Sequence, residues 1–372
     1  MAQTAIPCVL MRGGTSKGPF FLADDLPGDP FWRDQTLLAV MGSPDVRQID
    51  GIGGADSLTS KVAIVSRSAR PGIDVDYLFA QVRITDAVVD VSPNCGNMLA
   101  GVGPFAIEKG LVSAQDGETV VKVFNVNTNA VVHSTVLTPG RQVTYEGDTA
   151  LDGVPGTGSP ISLNFVEAVG SKTGKLLPTG RVLDSVGGVD VSCIDLAVPM
   201  VIARASEFGI QGSESRDALN ANKPLLARIE EVRLAAAKLM GMGDVKGKVT
   251  PKFCLVSPAR FGGTITSRYF VPDACHSAHA VTGTLCLAAA CVLPGSVTEG
   301  IARLDPGPRR SIVIEHPSGK IAAEFELGGP SDAPVIVRAA LLRTARKLMA
   351  GEVFVPASKV SASVHLPSAN AA

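Results

Sequence analysis

The stretch Val91-Ser-Pro-Asn-Cys-Gly-Asn-Met-Leu-Ala-Gly-Val-Gly-Pro-Phe-Ala-Ile-Glu108 decides how this chain is read. An extended segment ends in a polar Asn-Cys-Gly-Asn turn, and an apolar helix is predicted over 97–109. Gly110 follows, a residue suited to the left-handed position that ends helices. A helix that is hydrophobic on every side belongs inside a core. Its N-terminus carries a partial positive charge and unpaired N–H groups, a setting that lowers a thiol's pKa and binds carboxylates. Cys95 is therefore the first candidate for chemistry. Most free cysteines act as small buried hydrophobes, and Cys8, Cys193, Cys254, Cys286 and Cys291, with their apolar neighbours, are read that way.

Residues 264–293 repeat this plan: a β-type run over 264–270, a polar loop holding Cys275, His276 and His279, and an apolar helix over 278–293 stopped by Pro294-Gly295. Other β-type runs fall at 62–65, 75–82, 120–126, 131–137, 160–166, 189–194, 200–203, 252–256, 311–315 and 321–326, punctuated by Gly and Pro. Further helices are expected over 30–40, with Asp29 as cap, and over 215–240, broken at Pro224. The pattern predicts a duplicated α+β architecture, each half wrapping β-structure around one apolar helix. Glycines near 179–188 mark the boundary. This gives an N-terminal lobe over 1–183, a C-terminal lobe over 184–357, and an Ala/Ser-rich tail over 358–372 expected to be disordered.

Composition excludes several function classes. The 372 residues are 45% hydrophobic and 19% charged with a net charge of −1, so there is no basic stripe for nucleic acid. Aromatics at 5% leave little material for base stacking. Residues 1–8 lack the charged and apolar regions of a signal peptide. The longest apolar run, 280–293, is too short to span a bilayer. Seven cysteines without a C-x-x-C spacing are read as free thiols in a reducing cytoplasm.

Three N-terminal segments stand out as polar and glycine-rich. In Met11-Arg-Gly-Gly-Thr-Ser-Lys-Gly18, glycines allow close backbone approach, while Arg12, Thr15, Ser16 and Lys17 supply donors suited to carboxylates. The bland alternative is a turn between strands. In Asp50-Gly-Ile-Gly-Gly-Ala-Asp-Ser-Leu-Thr-Ser-Lys61, the lysine directly precedes a run that reads as a buried strand. Desolvation would move a lysine toward the range of a general base. On spacing alone, however, a side chain snorkelling to the surface is favoured. The third segment is the cysteine turn. A base such as Lys61 and an acid such as Cys95 are what a 1,3-proton shift requires, with amides and cations holding the developing enolate. His276 and His279 are spaced i, i+3, but no third ligand follows, so no metal is expected. His133, His316 and His365 are read as structural.

With these residues quoted, the chain resembles the PrpF family, whose fold is like that of diaminopimelate epimerase. The resemblance runs from about residue 6 to 355 and is carried by Pro7-Cys-Val-Leu-Met-Arg-Gly-Gly-Thr-Ser-Lys17, residues 50–61 and Asn94-Cys-Gly-Asn97. It implies two pseudo-symmetric lobes, each a β-barrel-like sheet around a central helix, with the active site between them. True epimerases carry a second cysteine in an Ala-Cys-Gly-Thr-Gly type motif. Here Ala280-Val-Thr-Gly283 has none, and Cys275 lies a few residues early. That departure counts against two-thiol epimerisation and fits an arrangement served by Lys61 and Cys95.

Within the family, Met41-Gly-Ser-Pro-Asp45, residues 51–60 and Ala100-Gly-Val-Gly-Pro-Phe-Ala-Ile107 are most similar to the 4-oxalomesaconate tautomerases and Δ-isomerases of bacterial gallate and lignin-derived protocatechuate breakdown. The resemblance implies a cofactor-independent isomerase acting on a small tricarboxylate, with self-association left open. Lys61 would take the C–H proton, and Cys95 would serve as the partner acid or shape the opposite wall. Arg12, Thr15, Ser16, Lys17, Ser57, Asn94, Gly96, Asn97, Met98, Arg268 and His276 would hold the carboxylates and the enolate oxygen. The alternatives are an aconitate isomerase and a non-catalytic accessory protein for an aconitase-like partner, both of the methylcitrate pathway.

Overall fold

The computed structural model describes residues 3–165, 167, 169–271, 274–330 and 334–360. It divides into two units, Met1–Leu163 with Arg343–Ala372, and Asn164–Leu342. The first unit opens with a hairpin of β1 (Gln3–Gly13) and β2 (Ser16–Leu22). Helix α1 (Pro30–Met41) follows, started by the Asp29 carboxylate accepting from the Trp32 N–H at 3.1 Å and by Pro30 in its first turn. β2 runs parallel to β3 (Lys61–Arg67), which is antiparallel to β4 (Val75–Val82). β5 (Val89–Asp90) pairs with the end of β4 and leads into α2 (Gly96–Glu108). β6 (Gly117–Asn125) runs parallel to β4 and forms a hairpin with β7 (Ala130–Thr138).

Helix α2 packs against β1, β2, β3, β4, β6 and β7, so strands surround it. Every residue from Met98 to Ala106 is buried, as its all-round apolar character predicts. A small two-stranded sheet of β8 (Thr149–Leu151) and β9 (Val154–Gly158) follows, then β10 (Ile161–Asn164).

In the second unit, β11 (Asp184–Val186), β12 (Val189–Asp195) and β13 (Pro199–Arg204) form an antiparallel set. The predicted long helix breaks into α3 (Arg216–Ala221) and α4 (Lys223–Leu239). Asn222 makes the break, its side chain accepting from the Leu225 N–H at 3.1 Å with Pro224 in the new first turn. β14 (Lys252–Pro258) lies parallel to β13 and antiparallel to β15 (Ile265–Phe270). α5 (Val281–Val292) packs on β12, β13, β16 (Arg309–His316) and β17 (Gly319–Gly328), and β18 (Val335–Arg343) ends the unit. Leu225, Ile229, Val232 and Ala236 of α4 join Val201, Phe253 and Leu255 in one core.

Each unit by itself is thus a strand-rich layer wrapped around one apolar helix, the α+β plan of the epimerase-like fold. The division falls elsewhere than the sequence places it. The last strand, β19 (Ala345–Pro356), returns to the first unit and pairs with β1 from Gln3↔Pro356 to Gly13↔Ala345, and the cut lies at 163/164 instead of 183/184. The expected tail over 358–372 begins in a 3₁₀ turn, Ala357–Lys359, where the Lys359 carbonyl accepts from the Thr36 hydroxyl at 3.0 Å. Residues 361–372 lie outside the described residues. Among the described residues, no helix is long and apolar enough to cross a membrane.

Candidate active site

The turn between β1 and β2 rests on the first turn of α2. Gly13 and Gly14 make this approach possible. A β-carbon at Gly13 would stand 2.4 Å from the Asn97 carbonyl oxygen, and one at Gly14, where φ is +50°, would stand 2.2 Å from Asn97 Oδ1. Asn97 Nδ2 then donates to Thr15 Oγ1 at 2.9 Å. Ser16 is 1% exposed, and its hydroxyl finds no partner among the described residues. A buried hydroxyl left unpaired is costly unless something else meets it. Arg12 braces the turn from behind: its guanidinium donates to the Gly14 carbonyl (2.7 Å), the Thr344 carbonyl (3.0 Å) and the Thr344 hydroxyl (3.0 Å). Burial, with Arg346 nearby, lowers its pKa.

Cys95 is the N-cap of α2. Its backbone is extended (φ −133°, ψ 97°), and its Sγ accepts from the Met98 N–H at 3.5 Å. The thiol therefore faces the unpaired N–H groups of the helix start, as the sequence predicts. The Tyr77 hydroxyl donates to the Cys95 carbonyl at 3.3 Å, and Asn94 Oδ1 accepts from Asn125 Nδ2 at 2.6 Å, fixing the residues on either side of the cap.

Lys61 begins β3 and is buried, 9% exposed. This corrects the surface position that spacing alone favours. The reason lies in β4, whose Gln81 stands directly across the ladder from Lys61. Nζ of Lys61 donates to Gln81 Oε1 at 2.6 Å and sits 5.0 Å from the centroid of the Phe79 ring. Tyr77, Phe79 and Gln81 alternate along β4 and so share one face. That face carries Cys95 at one end and Lys61 at the other. Tyr77 and Gln81 lie about 13 Å apart along the strand, and the lysine stem reaches back over Phe79 between them.

Arg268 and His276 belong to the second unit. Arg268, on β15, donates from Nε to the Glu214 carbonyl at 2.8 Å and from Nη1 to the Ser267 carbonyl at 2.9 Å. His276 Nδ1 accepts from the Ala278 N–H at 2.9 Å, so its neutral ring carries the proton on Nε2. Burial, with Arg216 and Lys252 nearby, lowers its pKa. Cys275 is buried in a bridge to Phe270, and burial pushes its thiol up to about 11 against the pull of Arg268 and Arg216. Helix α5 starts at Ala280 with no side-chain cap. The position that Cys95 fills in the first unit is therefore a methyl group in the second.

The structure thus gathers Thr15, Cys95, Gly96 and Asn97 at one helix start, with Ser16 next to Thr15 on β2, while Lys61, on β3, and the Cys95 carbonyl both meet side chains of β4. Lys17 sits on β2 with its N–H donating to the Leu58 carbonyl at 2.9 Å. Ser57 is exposed, and its carbonyl accepts from Gln81 Nε2 at 3.1 Å. The Met98 side chain lies in the core. Sequence reasoning passes over Tyr77, Phe79 and Gln81. Their signal is the period-2 alternation of an aromatic, an aromatic and an amide inside a run already read as a strand. Among the described residues, no three His, Cys, Asp or Glu side chains gather in a way that could hold a metal ion.

The fold is of the epimerase-like class, with a thiol at the start of the buried helix in the first unit and none at the start of that in the second. The chain belongs to the PrpF family, described as PrpF protein, whose sequence profile matches residues 3–356. It is 54% identical over 349 residues to the (4E)-oxalomesaconate Delta-isomerase of Novosphingobium sp. (strain KA1), covering 94% of this chain and 97% of that one. It is 50% identical over 353 residues to the 4-oxalomesaconate tautomerase of Pseudomonas putida, covering 95% and 97%. The crystal structure of methylitaconate-delta-isomerase superposes with a TM-score of 0.86 at 39% identity, covering 99% of this chain and 100% of that one. A hydroxyproline epimerase from Agrobacterium vitis, at 11% identity and a TM-score of 0.50 over 95% and 92% of the two chains, shares the fold alone.

Proposed function

We propose that this chain catalyses a cofactor-independent 1,3-proton shift on 4-oxalomesaconate. The observation that supports this reading is that a buried lysine and a helix-capping cysteine both contact side chains on one face of β4. The Lys61 amine takes the proton from the methylene that lies between the ketone of the oxalo group and the carbon–carbon double bond. The electron pair left behind spreads into an enolate, and the Cys95 thiol delivers a proton at the far end of the three-atom unit. The lysine leaves as ammonium and the cysteine as thiolate, and proton exchange with solvent restores both.

Ser16, Thr15 and the N–H groups at the start of α2 bind a carboxylate or the enolate oxygen, because an oriented helix N-terminus stabilises negative charge without reorganising. The names of the two oxalomesaconate relatives, at 54% and 50% identity, support the choice of substrate over aconitate.

Incubation in heavy water with 4-oxalomesaconate and, separately, with trans-aconitate tests this by NMR. Deuterium uptake is expected in the first, with the product's double-bond position read directly. Exchange in trans-aconitate alone would overturn the substrate, and exchange in neither would overturn the activity. Lys61→Met keeps much of the side-chain length but removes the base. It is expected to lower turnover by ~10²–10⁴-fold, the usual contribution of general-base catalysis. A loss below about tenfold would be too small for that role.

A further inference from the structure

We infer that Gln81 is a positioning residue for Lys61, restricting the directions in which the amine presents its lone pair. The inference rests on the reading of Lys61 as the base. Nε2 of Gln81 donates to the Ser60 carbonyl at 2.8 Å and to the Ser57 carbonyl at 3.1 Å. Turning the amide over would set its oxygen against two carbonyls and its NH₂ against the lysine. The side chain therefore has one stable orientation, with Oε1 on Lys61 Nζ at 2.6 Å.

Lys61 and Gln81 are directly opposed in the antiparallel ladder, so the two backbones hold this pair in register. Beneath the amine lies the Phe79 ring. Phe79 is itself held on both backbone groups by one side chain: its N–H donates to Asn127 Oδ1 at 2.9 Å, and its carbonyl accepts from Asn127 Nδ2 at 2.9 Å. An amine that gives one N–H to Oε1 must direct its lone pair away from that oxygen, into one of the two directions that remain. Without that bond the lysine stem is free to turn through several rotamers, most of which point the nitrogen elsewhere.

The choice of an amide is chemically specific. A carboxylate at the same distance would favour the ammonium form and remove the lone pair. An apolar side chain would leave the amine without direction. Glutamine accepts a hydrogen bond while carrying no charge.

The test uses the full chain with 4-oxalomesaconate, measuring kcat, KM, the rate of deuterium exchange and the melting temperature. Gln81→Leu is expected to lower kcat by about 10²-fold, the loss that a displacement of roughly 1 Å can cause, with KM little changed. Gln81→Asn keeps the amide but is one methylene too short. It is expected to lose kcat similarly, and it stands in if the leucine variant fails to fold. Lys61→Met combined with Gln81→Leu should be no slower than Lys61→Met alone, because both changes act through the same amine. Wild-type kcat in either glutamine variant, or losses that simply add in the double variant, would overturn the inference. Wild-type exchange in Lys61→Met would overturn the reading beneath it as well. Normal glutamine variants beside an inactive lysine variant would overturn the positioning role alone.

Discussion

Replacing Cys95 by serine separates chemistry from architecture, because the two are expected to move in opposite directions. The sulfur caps α2 through a 3.5 Å contact from the Met98 N–H, and sulfur is a weak acceptor. Serine is among the preferred N-caps, and the presence or absence of such a cap is worth about 0.5–2 kcal/mol. Cysteine already supplies part of that bond, so the gain from serine is at most about 1 kcal/mol, or about 2–4 °C in melting temperature for a unit of this size.

Turnover responds the other way. A serine hydroxyl is a far weaker acid than a thiol, and loss of a general acid costs about 10²–10⁴-fold, or about 3–5 kcal/mol on the barrier. The Cys95→Ser protein should therefore melt at or slightly above the wild-type temperature while losing most of its exchange activity. Thermal melts followed by circular dichroism, run beside the heavy-water assay on the same sample, read both quantities. Near-wild-type turnover would refute the acid role and leave Cys95 as a helix cap. A lowered melting temperature would refute the capping argument. Misfolding cannot imitate the expected result.

Two further outcomes follow from particular contacts. A β-carbon at Gly18 would lie 1.8 Å from the Lys61 carbonyl oxygen, against 3.4 Å for ordinary contact, so Gly18→Ala must move β2 from β3 by roughly 1.6 Å (3.4 − 1.8). Displacement on that scale at the base predicts a kcat loss of about 10²-fold with a lowered melting temperature; wild-type turnover would show that Lys61 does not move with β3. Burial alone would raise the Glu315 pKa. Bonds from the Arg260 N–H, the Thr266 hydroxyl, and the Gly263 and Phe261 N–H groups outweigh it, holding the carboxylate at about 2 against an ordinary 4.5. A carboxylate depressed in the folded state stabilises above its unfolded pKa, and that contribution fades as pH falls from about 4.5 toward about 2. Glu315→Gln should therefore melt well below wild type at pH 7, with the gap narrowing in acid; a gap independent of pH would refute this account.

What was legible in the sequence was what local pattern encodes. The α2 and α5 cores are visible because a run apolar on every face has nowhere else to go. Asp29 and Pro224 mark helix boundaries through backbone chemistry that acts within a few residues. β18 and β19 carry such a mark only at one end, in Val335-Ile336-Val337 and Val353-Phe354-Val355. Residues 339–343 and 345–350 are largely Ala, Leu, Arg, Lys and Met, which are good helix formers, and no strand was read over them. For β19, pairing with β1 overrides that preference, and β1 lies more than three hundred residues away.

The same holds for the site. The turn chemistry of Thr15, Cys95 and Asn97 could be read from their neighbours. The burial of Lys61 depends on Gln81 and Phe79 across a hairpin, and the position of Arg12 on Thr344. Partners so distant in sequence leave no local period. Arg12, expected to hold a carboxylate, spends three donor contacts on bracing the turn.

The pairing of β1 with β19 also sets the order in which a ribosome can finish this molecule. Every residue of the second unit is translated before the first residue of β19 appears, while β1, made long before both, waits with one edge unpaired. Thr344, on which the Arg12 brace closes, emerges just ahead of that strand. A nascent chain stopped just short of it would hold Lys61 and Cys95 in a lobe that lacks its closing strand and exposes an open edge to other chains. Translation arrest just ahead of the β19 codons would thus yield chains that contain both proposed catalytic residues and are prone to aggregate. Conversely, Gln3 and Pro356 meet in the same ladder, so a short peptide joining the two ends, with new termini opened in an exposed loop, would allow β1 and β19 to be synthesised as neighbours.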